Sequence, residues 1–241
     1  MLVENKFIYL NLPRCASTSF HIACLKYELD IKYYDDIIHT LNPPKLNKND
    51  NNEIIADNLS HTHEKLINLQ KKFGYDLPVI AVKRNSYERY ISLWKHIIDE
   101  LYRIGEFETF NIFKSLNVDE LLSYTEIDIS SNEKKYEFIK KFFKRYNIPR
   151  TDAYVTAMIY MIMSPTSHWH NHNKSIIWFD IQNIKELENW VSEKLSFDFK
   201  LEKTNSSQHF ECNIINDEYF KKKYDSIYKN YDNPKNIKSL I

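Results

Sequence analysis

The chain has 241 residues, and its 33 lysines and arginines balance 33 aspartates and glutamates, so it carries no net charge with histidines neutral. That length suits one α/β domain with a substantial core. The neutrality excludes a global field drawing the chain to nucleic acid or an anionic membrane, so any anion binding is local. Cys15, Cys24 and Cys212 are too sparse and too odd a set for a disulfide framework, and they suit a reducing compartment.

In chain order, residues 7–12 (Phe-Ile-Tyr-Leu-Asn-Leu) have the composition of a buried strand, and Pro13 stops it. The chain enters this strand almost at once, so no signal peptide or anchor is expected and the protein reads as cytoplasmic or otherwise soluble and intracellular. Arg14-Cys15-Ala16-Ser17-Thr18-Ser19 follows, a cation, small residues and three hydroxyls, with Phe20, Ala23, Cys24 and Tyr27 at helical spacing behind them. A helix start presents unpaired N–H groups and partial positive charge, which makes an anion site. The alternative is that Ser17 or Thr18 only caps the helix. Residues 42–52 are polar and proline-containing, a loop, and 53–57 are a second strand. Leu66, Leu69 and Phe73 mark a helix running to about Gly74.

The clearest strand is 78–82, Pro-Val-Ile-Ala-Val, ending in Lys83-Arg84. Asn85 with Glu88 three residues later forms a capping-box pattern. The helix it opens carries Tyr87, Ile91, Trp94, Ile98 and Leu101 on one face. Helices are predicted at 118–124 and 133–146, the latter with Tyr136, Ile139, Phe143 and Tyr146 aligned. Residues 153–163 are apolar nearly all round but too short to span a bilayer, so they read as a buried helix. A strand at 175–179, a helix at 184–195, a strand at 199–203 and a helix at 217–231 complete the chain. There is no internal repeat and no domain-sized linker. Alternating strands and helices predict a single α/β domain over 1–241: a P-loop-NTPase-like central parallel sheet flanked by helices, with a helical insertion in the middle third.

The first strand–turn–helix does not match a nucleotide-triphosphate loop, which needs glycines and a Gly-Lys-Ser/Thr ending; no glycine precedes Gly74. In parallel sheets ligands bind beyond the carboxyl ends of the strands. Arg14 and Arg84 would then face one crevice, with Arg89 and Ser92 on one face of the following helix. Cations at two strand ends suit a ligand with phosphates in two separated places. A magnesium enzyme would place an aspartate there, and Asp57 is the candidate for that alternative. Arg89 has a plainer reading, as the partner of Glu88 or Asp99 on a solvated helix.

These residues resemble a known family. The run from Asn11 to Phe20 is similar to the 5′-phosphosulfate loop of sulfotransferases that use 3′-phosphoadenosine 5′-phosphosulfate (PAPS), most nearly the carbohydrate (heparan/uronyl) 2-O-sulfotransferases, which read Pro-Lys-Thr-Ala-Ser-Thr-Ser-Phe there. Arg84-Asn85-Ser86-Tyr87-Glu88-Arg89-Tyr90-Ile91-Ser92 resembles the family's 3′-phosphate motif, Arg-x-Pro-x-x-Arg-x-x-Ser, with Ser86 in place of the proline. His168-Trp169, Phe179-Asp180, residues 204–207 and residues 227–232 fall where such enzymes have similar segments.

The resemblance implies a PAPS-dependent sulfotransferase needing no metal. Arg14, Cys15, Ala16, Ser17, Thr18 and Ser19 would hold the 5′-phosphosulfate, Arg84 and Ser92 the 3′-phosphate, and Asn205 or Ser207 would touch the nucleotide. Arg14 stands where the family usually has lysine. Always protonated, it would stabilise leaving-group charge rather than donate a proton. The implied partner is a hydroxyl-bearing acceptor, a glycan, with no nucleic acid and no membrane insertion.

A base must take the acceptor's proton, and an imidazole suits that near neutral pH. His61-Thr62-His63 lies between a strand and its helix, and the 2-O-sulfotransferases have a similar His-x-His. His63 is expected as the base with His61 assisting; a helix-capping surface pair is the alternative, and Glu28 or His168 comes next. His168, His170 and His172 alternate, so in an extended segment they would face one way as a metal site. With His61 and His63 that gives a rival, a metal-dependent hydrolase or nuclease. Against it, the tract holds no carboxylate or cysteine. A third reading is a nucleotide-binding protein without transfer activity.

Overall fold

Phe7, Ile8 and Tyr9 are all fully buried, which a strand achieves only when both faces of its sheet are covered. The computed structural model describes residues 1–34, 45–48, 54–57, 63–116, 132–148, 156, 159–160, 164, 167–171, 173, 175–201, 218–219 and 221–222. The chain divides into two compact units, Met1–Arg84 with Ser167–Asn205, and Asn85–Thr166 with Ser206–Ile241.

Every described strand lies in the first unit: β1 (Leu2–Val3), β2 (Phe7–Tyr9), β3 (Ile31–Lys32), β4 (Lys45–Lys48), β5 (Ile54–Asp57), β6 (Val79–Lys83) and β7 (Ile176–Asp180). Five of them form one mixed sheet in the order β3-β1-β2-β6-β7. Its middle is parallel: Ile8 pairs with Val79 and Tyr9 with Ile80, and β6 pairs with β7 from Val79↔Ile176 to Lys83↔Asp180. The antiparallel β1 aligns Leu2 with Ile8 and, on its other side, with Lys32.

The first unit also holds α1 (Ser17–Lys26), α2 (Leu66–Phe73), a short α6 (Ser167–His170) and α7 (Ile184–Leu195). Phe7 and Tyr9, two residues apart, face the same side. Phe20 of α1 stacks on Tyr9 at 3.9 Å and meets Phe7 edge-on, and Trp190 of α7 meets Phe7 at 5.2 Å. Each such ring taken fully from water contributes roughly 1.5–3 kcal/mol.

Three expectations are corrected. Residues 53–57 do not add a strand to the main sheet; β5 instead pairs antiparallel with β4, from Lys45↔Asp57 to Lys48↔Ile54, as a separate two-stranded ribbon. The polar stretch read as a loop thus contains β4, because ladder pairing, not side-chain composition, makes that strand. Asp57 therefore does not end a strand of the parallel sheet, which removes the premise of the magnesium reading. Finally, residues 199–201 are not a strand. Their N–H groups go to side chains instead: Phe199 to Ser192 Oγ at 2.9 Å, Lys200 to Tyr27 Oη at 3.2 Å, and Leu201 to Glu188 Oε1 at 2.9 Å. With its donors so engaged, the backbone has none left for a ladder.

The elements of the second unit whose bounds are described are helices: α3 (Ser86–Arg103), α4 (Phe107–Ser115) and α5 (Asn132–Arg145). Asn85 caps α3, its side chain accepting from the N–H groups of Tyr87 and Glu88 at 3.1 Å each. Trp94, Ile98 and Leu101 of α3, Phe113 of α4 and Ile139, Phe142 and Phe143 of α5 share one core. The inward face of α5 is Phe138, Ile139, Phe142 and Phe143, while Tyr136 is exposed. The helix α4 was not foreseen. The helix expected at 118–124 and most of those expected at 153–163 and 217–231 lie outside the described residues. No helix among the described residues is long and apolar enough to cross a membrane.

Candidate functional site

The carboxyl end of β2 leads directly into a tight turn. Cys15 N–H returns to Leu12 O at 3.2 Å, with Pro13 in the second position and Arg14 at φ 60° in the third. That is the pattern of a type II turn, except that an arginine takes the place where such turns favour glycine. Ala16 also has a left-handed backbone, φ 61° and ψ 13°, and immediately precedes α1. A non-glycine residue held this way costs about 1–2 kcal/mol, and strain of this order gathers where a backbone is shaped for a ligand. The chain makes a glycine-loop-like corner without glycine.

The corner is braced from below. Tyr9, fully buried, sends its hydroxyl to Cys15 O at 3.4 Å, and burial holds its phenol well above the usual tyrosine pKa. Cys15 is turned inward: its N–H serves the turn, and its thiol donates to Pro13 O at 3.5 Å. Both of these contacts serve the turn itself. Above it, α1 begins with Ser17, Thr18 and Ser19, and the first intrahelical bond runs from Phe20 N–H to Ala16 O at 3.0 Å. The N-cap position belongs to Ala16, and Ser17 and Thr18 fall inside the first helical turn, so neither takes the N-cap place that the capping alternative gave it. The N–H groups of the first helical turn point out of the helix, where a positive potential gathers. Arg14, Thr18 and Ser19 are half-buried and Ser17 is buried.

His63 stands three residues before the first residue of α2, and its Nδ1 lies 3.1 Å from the carbonyl oxygen of Asn11. Asn11 is itself buried, two residues beyond β2 and three before Arg14. A histidine far away in sequence is thereby fastened to the strand end that feeds the cationic corner. The ring of Trp169 meets His63 at 6.3 Å and 67°, and it also meets His168 at 5.2 Å and 87°. Glu64 is occupied in starting α2, accepting from Lys65 N–H and Asn68 Nδ2.

Arg84 directly follows β6, the parallel neighbour of β2, and is half-buried. The two arginines thus succeed adjacent parallel strands at their carboxyl ends. Ser92 lies on α3 in the second unit and is half-buried. Arg89 is no surface ion-pair residue: it is fully buried, and its Nη2 donates to Ser164 O at 2.8 Å. His61, Asn205 and Ser207 lie outside the described residues.

The reserve readings fare less well. Glu28 follows the far end of α1, and ten helical residues put about 15 Å between the two ends. It is exposed and remote from the corner. His168 and His170 lie in a helical turn, not an extended segment, so two-residue spacing sends them to different sides. His170 is buried with its ring edge-on to Trp178 at 5.2 Å. His172 lies outside the described residues. The alternation that suggested a metal tract is lost with the extended geometry.

Two participants were missed in the sequence, the Asn11 carbonyl and Trp169. A main-chain oxygen leaves no sequence signature, whereas the adjacency of Trp169 to His168 was visible as a short aromatic-imidazole pair. No family model, curated protein or solved structure matches the chain.

Proposed function

We propose that the chain is a sulfotransferase that moves a sulfuryl group from PAPS to a hydroxyl, with carbohydrate alcohols as the acceptor class. The observation that carries this reading is the fastening of His63 to Asn11, which sets a basic side chain beside a strained cationic corner. Proton uptake and anion binding are the two things such a transfer asks of a protein. PAPS supplies an activated sulfur whose bond to the 5′-phosphate breaks as the acceptor oxygen bonds to it.

In this reading Arg14 and the N–H groups at the start of α1 hold the 5′-phosphosulfate and take up negative charge on the departing phosphate. The guanidinium stays protonated throughout, so its part is electrostatic. Arg84 grips the 3′-phosphate, and His63 accepts the proton of the attacking hydroxyl. Positioning and charge stabilisation supply most of the rate. The sheet supports the reading by ending β2 and β6 side by side in the same direction.

The test is calorimetric binding of adenosine 3′,5′-bisphosphate, followed by transfer of labelled sulfate from PAPS over a panel of glycans and small alcohols. Arg84→Ala is expected to weaken nucleotide binding about ten- to a hundredfold, the worth of one hydrogen bond to a charged group. His63→Ala leaves binding unchanged and slows transfer about 10²- to 10⁴-fold. Failure to bind the bisphosphate, or equal loss of binding in both variants, refutes the assignment. Tight binding with transfer to no acceptor would make the chain a nucleotide-binding protein instead.

A further inference from the structure

We propose that His63 is held as its Nδ1–H tautomer by the Asn11 carbonyl and the Trp169 ring, so that Nε2 is the nitrogen that takes up a proton. A carbonyl oxygen can only accept, so the ring nitrogen 3.1 Å from it must carry the hydrogen. In a neutral imidazole the other nitrogen then holds the lone pair. An unconstrained histidine favours the opposite form, with the proton on Nε2, so the assignment is a departure that can be measured. One hydrogen bond of ordinary net worth biases such an equilibrium about fivefold.

Trp169 is a positioning residue in this scheme. Rotating the imidazole about its last bond would exchange Nδ1 for a carbon and break the bond to Asn11. The indole, buried and edge-on to His63, stands against that rotation, and His168 packs on the indole in turn. The Asn11 side chain is not needed: its Oδ1 is buried with no hydrogen-bond partner among the described residues, and the contact to His63 is made by its carbonyl. The tautomer belongs to the resting protein; the proposal rests on the sulfotransferase reading only for what Nε2 does with its proton.

The experiment is long-range 1H–15N correlation NMR of the full chain at pH 8 without ligand, the His63 signals being identified by their loss in His63→Gln. The native protein is expected to show Nδ1 as the protonated nitrogen and Nε2 as the unprotonated one. Asn11→Ala keeps the carbonyl and leaves the pattern unchanged. Trp169→Leu moves both signals towards averaged values, and Trp169→Phe, which keeps a ring, restores the native pattern. An Nε2–H pattern in the native chain overturns the proposal without depending on any variant's folding. So does an unchanged spectrum in Trp169→Leu, which would show that the indole positions nothing. An Nδ1–H pattern in a chain that transfers no sulfate leaves this proposal standing and removes the proposed function, whereas transfer by an Nε2–H chain does the reverse.

Discussion

Replacing Ala16 with glycine should make the protein more stable, although the same change in a helix usually weakens one. Ala16 holds φ 61° where the turn meets α1, and an L-residue gives up about 1–2 kcal/mol to stay there. Glycine avoids that cost but loses roughly 0.5–1 kcal/mol more backbone entropy on folding. The half-buried methyl group adds no more than about 0.4 kcal/mol of burial. At the middle of these ranges the balance is a gain of about 0.4 kcal/mol. Ala23 provides the contrast: it lies within α1 and is fully buried, so Ala23→Gly should lose about 1.5 kcal/mol from helix preference and burial together. Urea unfolding of both variants at 25 °C, followed by far-ultraviolet circular dichroism, reads the two signs directly. If Ala16→Gly lowers the midpoint as Ala23→Gly does, the left-handed corner is not there, and the argument for a strained anion loop falls with it.

Three other expectations concern groups held away from water. Cys15 and Cys24 are buried, so a thiol reagent should label at most one of the three cysteines in the native chain and all three after denaturation; rapid reaction of two would contradict the burial. Burial also pushes the Cys24 thiol pKa up, whereas an unfolded thiol ionises near pH 8.5. The stability this contributes is fully present below about pH 8.5 and is lost as pH rises above it towards the raised folded value. Cys24→Ala should remove a slope approaching about 1.4 kcal/mol per pH unit above pH 9, seen in denaturation midpoints across that range. In Ser192→Ala, the buried Phe199 loses the acceptor of its N–H. A stability loss of about 1–3 kcal/mol should follow, with Ser192→Thr, which keeps the hydroxyl, retaining most of it.

What could be read from the sequence follows from how each element is held. The strands β2, β6 and β7 and the helices α1, α2, α3, α5 and α7 are signalled by apolar residues at the right period, because packing holds them. The two-residue β1 and β3 carry no pattern, and Lys45-Leu46-Asn47-Lys48 is too polar to suggest a strand; the pairing that makes these elements is invisible in their own residues. Residues 199–201 mislead in the other direction, since strand-like side chains accompany N–H groups already taken by Ser192, Tyr27 and Glu188. At the candidate site the Arg14 corner was legible because proline, cation and hydroxyls fall at the start of a helical period. That Arg14 and Ala16 would adopt left-handed backbones was not, since neither residue favours one. The clustered histidines showed their chemistry but not their partners: His63 meets a main-chain oxygen, and His168 lies in a helix.

The carbonyl of Asn11 has a wider consequence. It belongs to the peptide that carries the chain from β2 towards the turn, and it also anchors the imidazole. A displacement of that peptide by even a fraction of an ångström reaches the histidine mechanically, with no intervening side chain to absorb it. In the proposed transferase, ligand capture and proton uptake would therefore be geared together, and substitutions at Pro13 that reshape the bend would act on both at once, so a transfer defect there need not mean that the proposed base or cation has been touched.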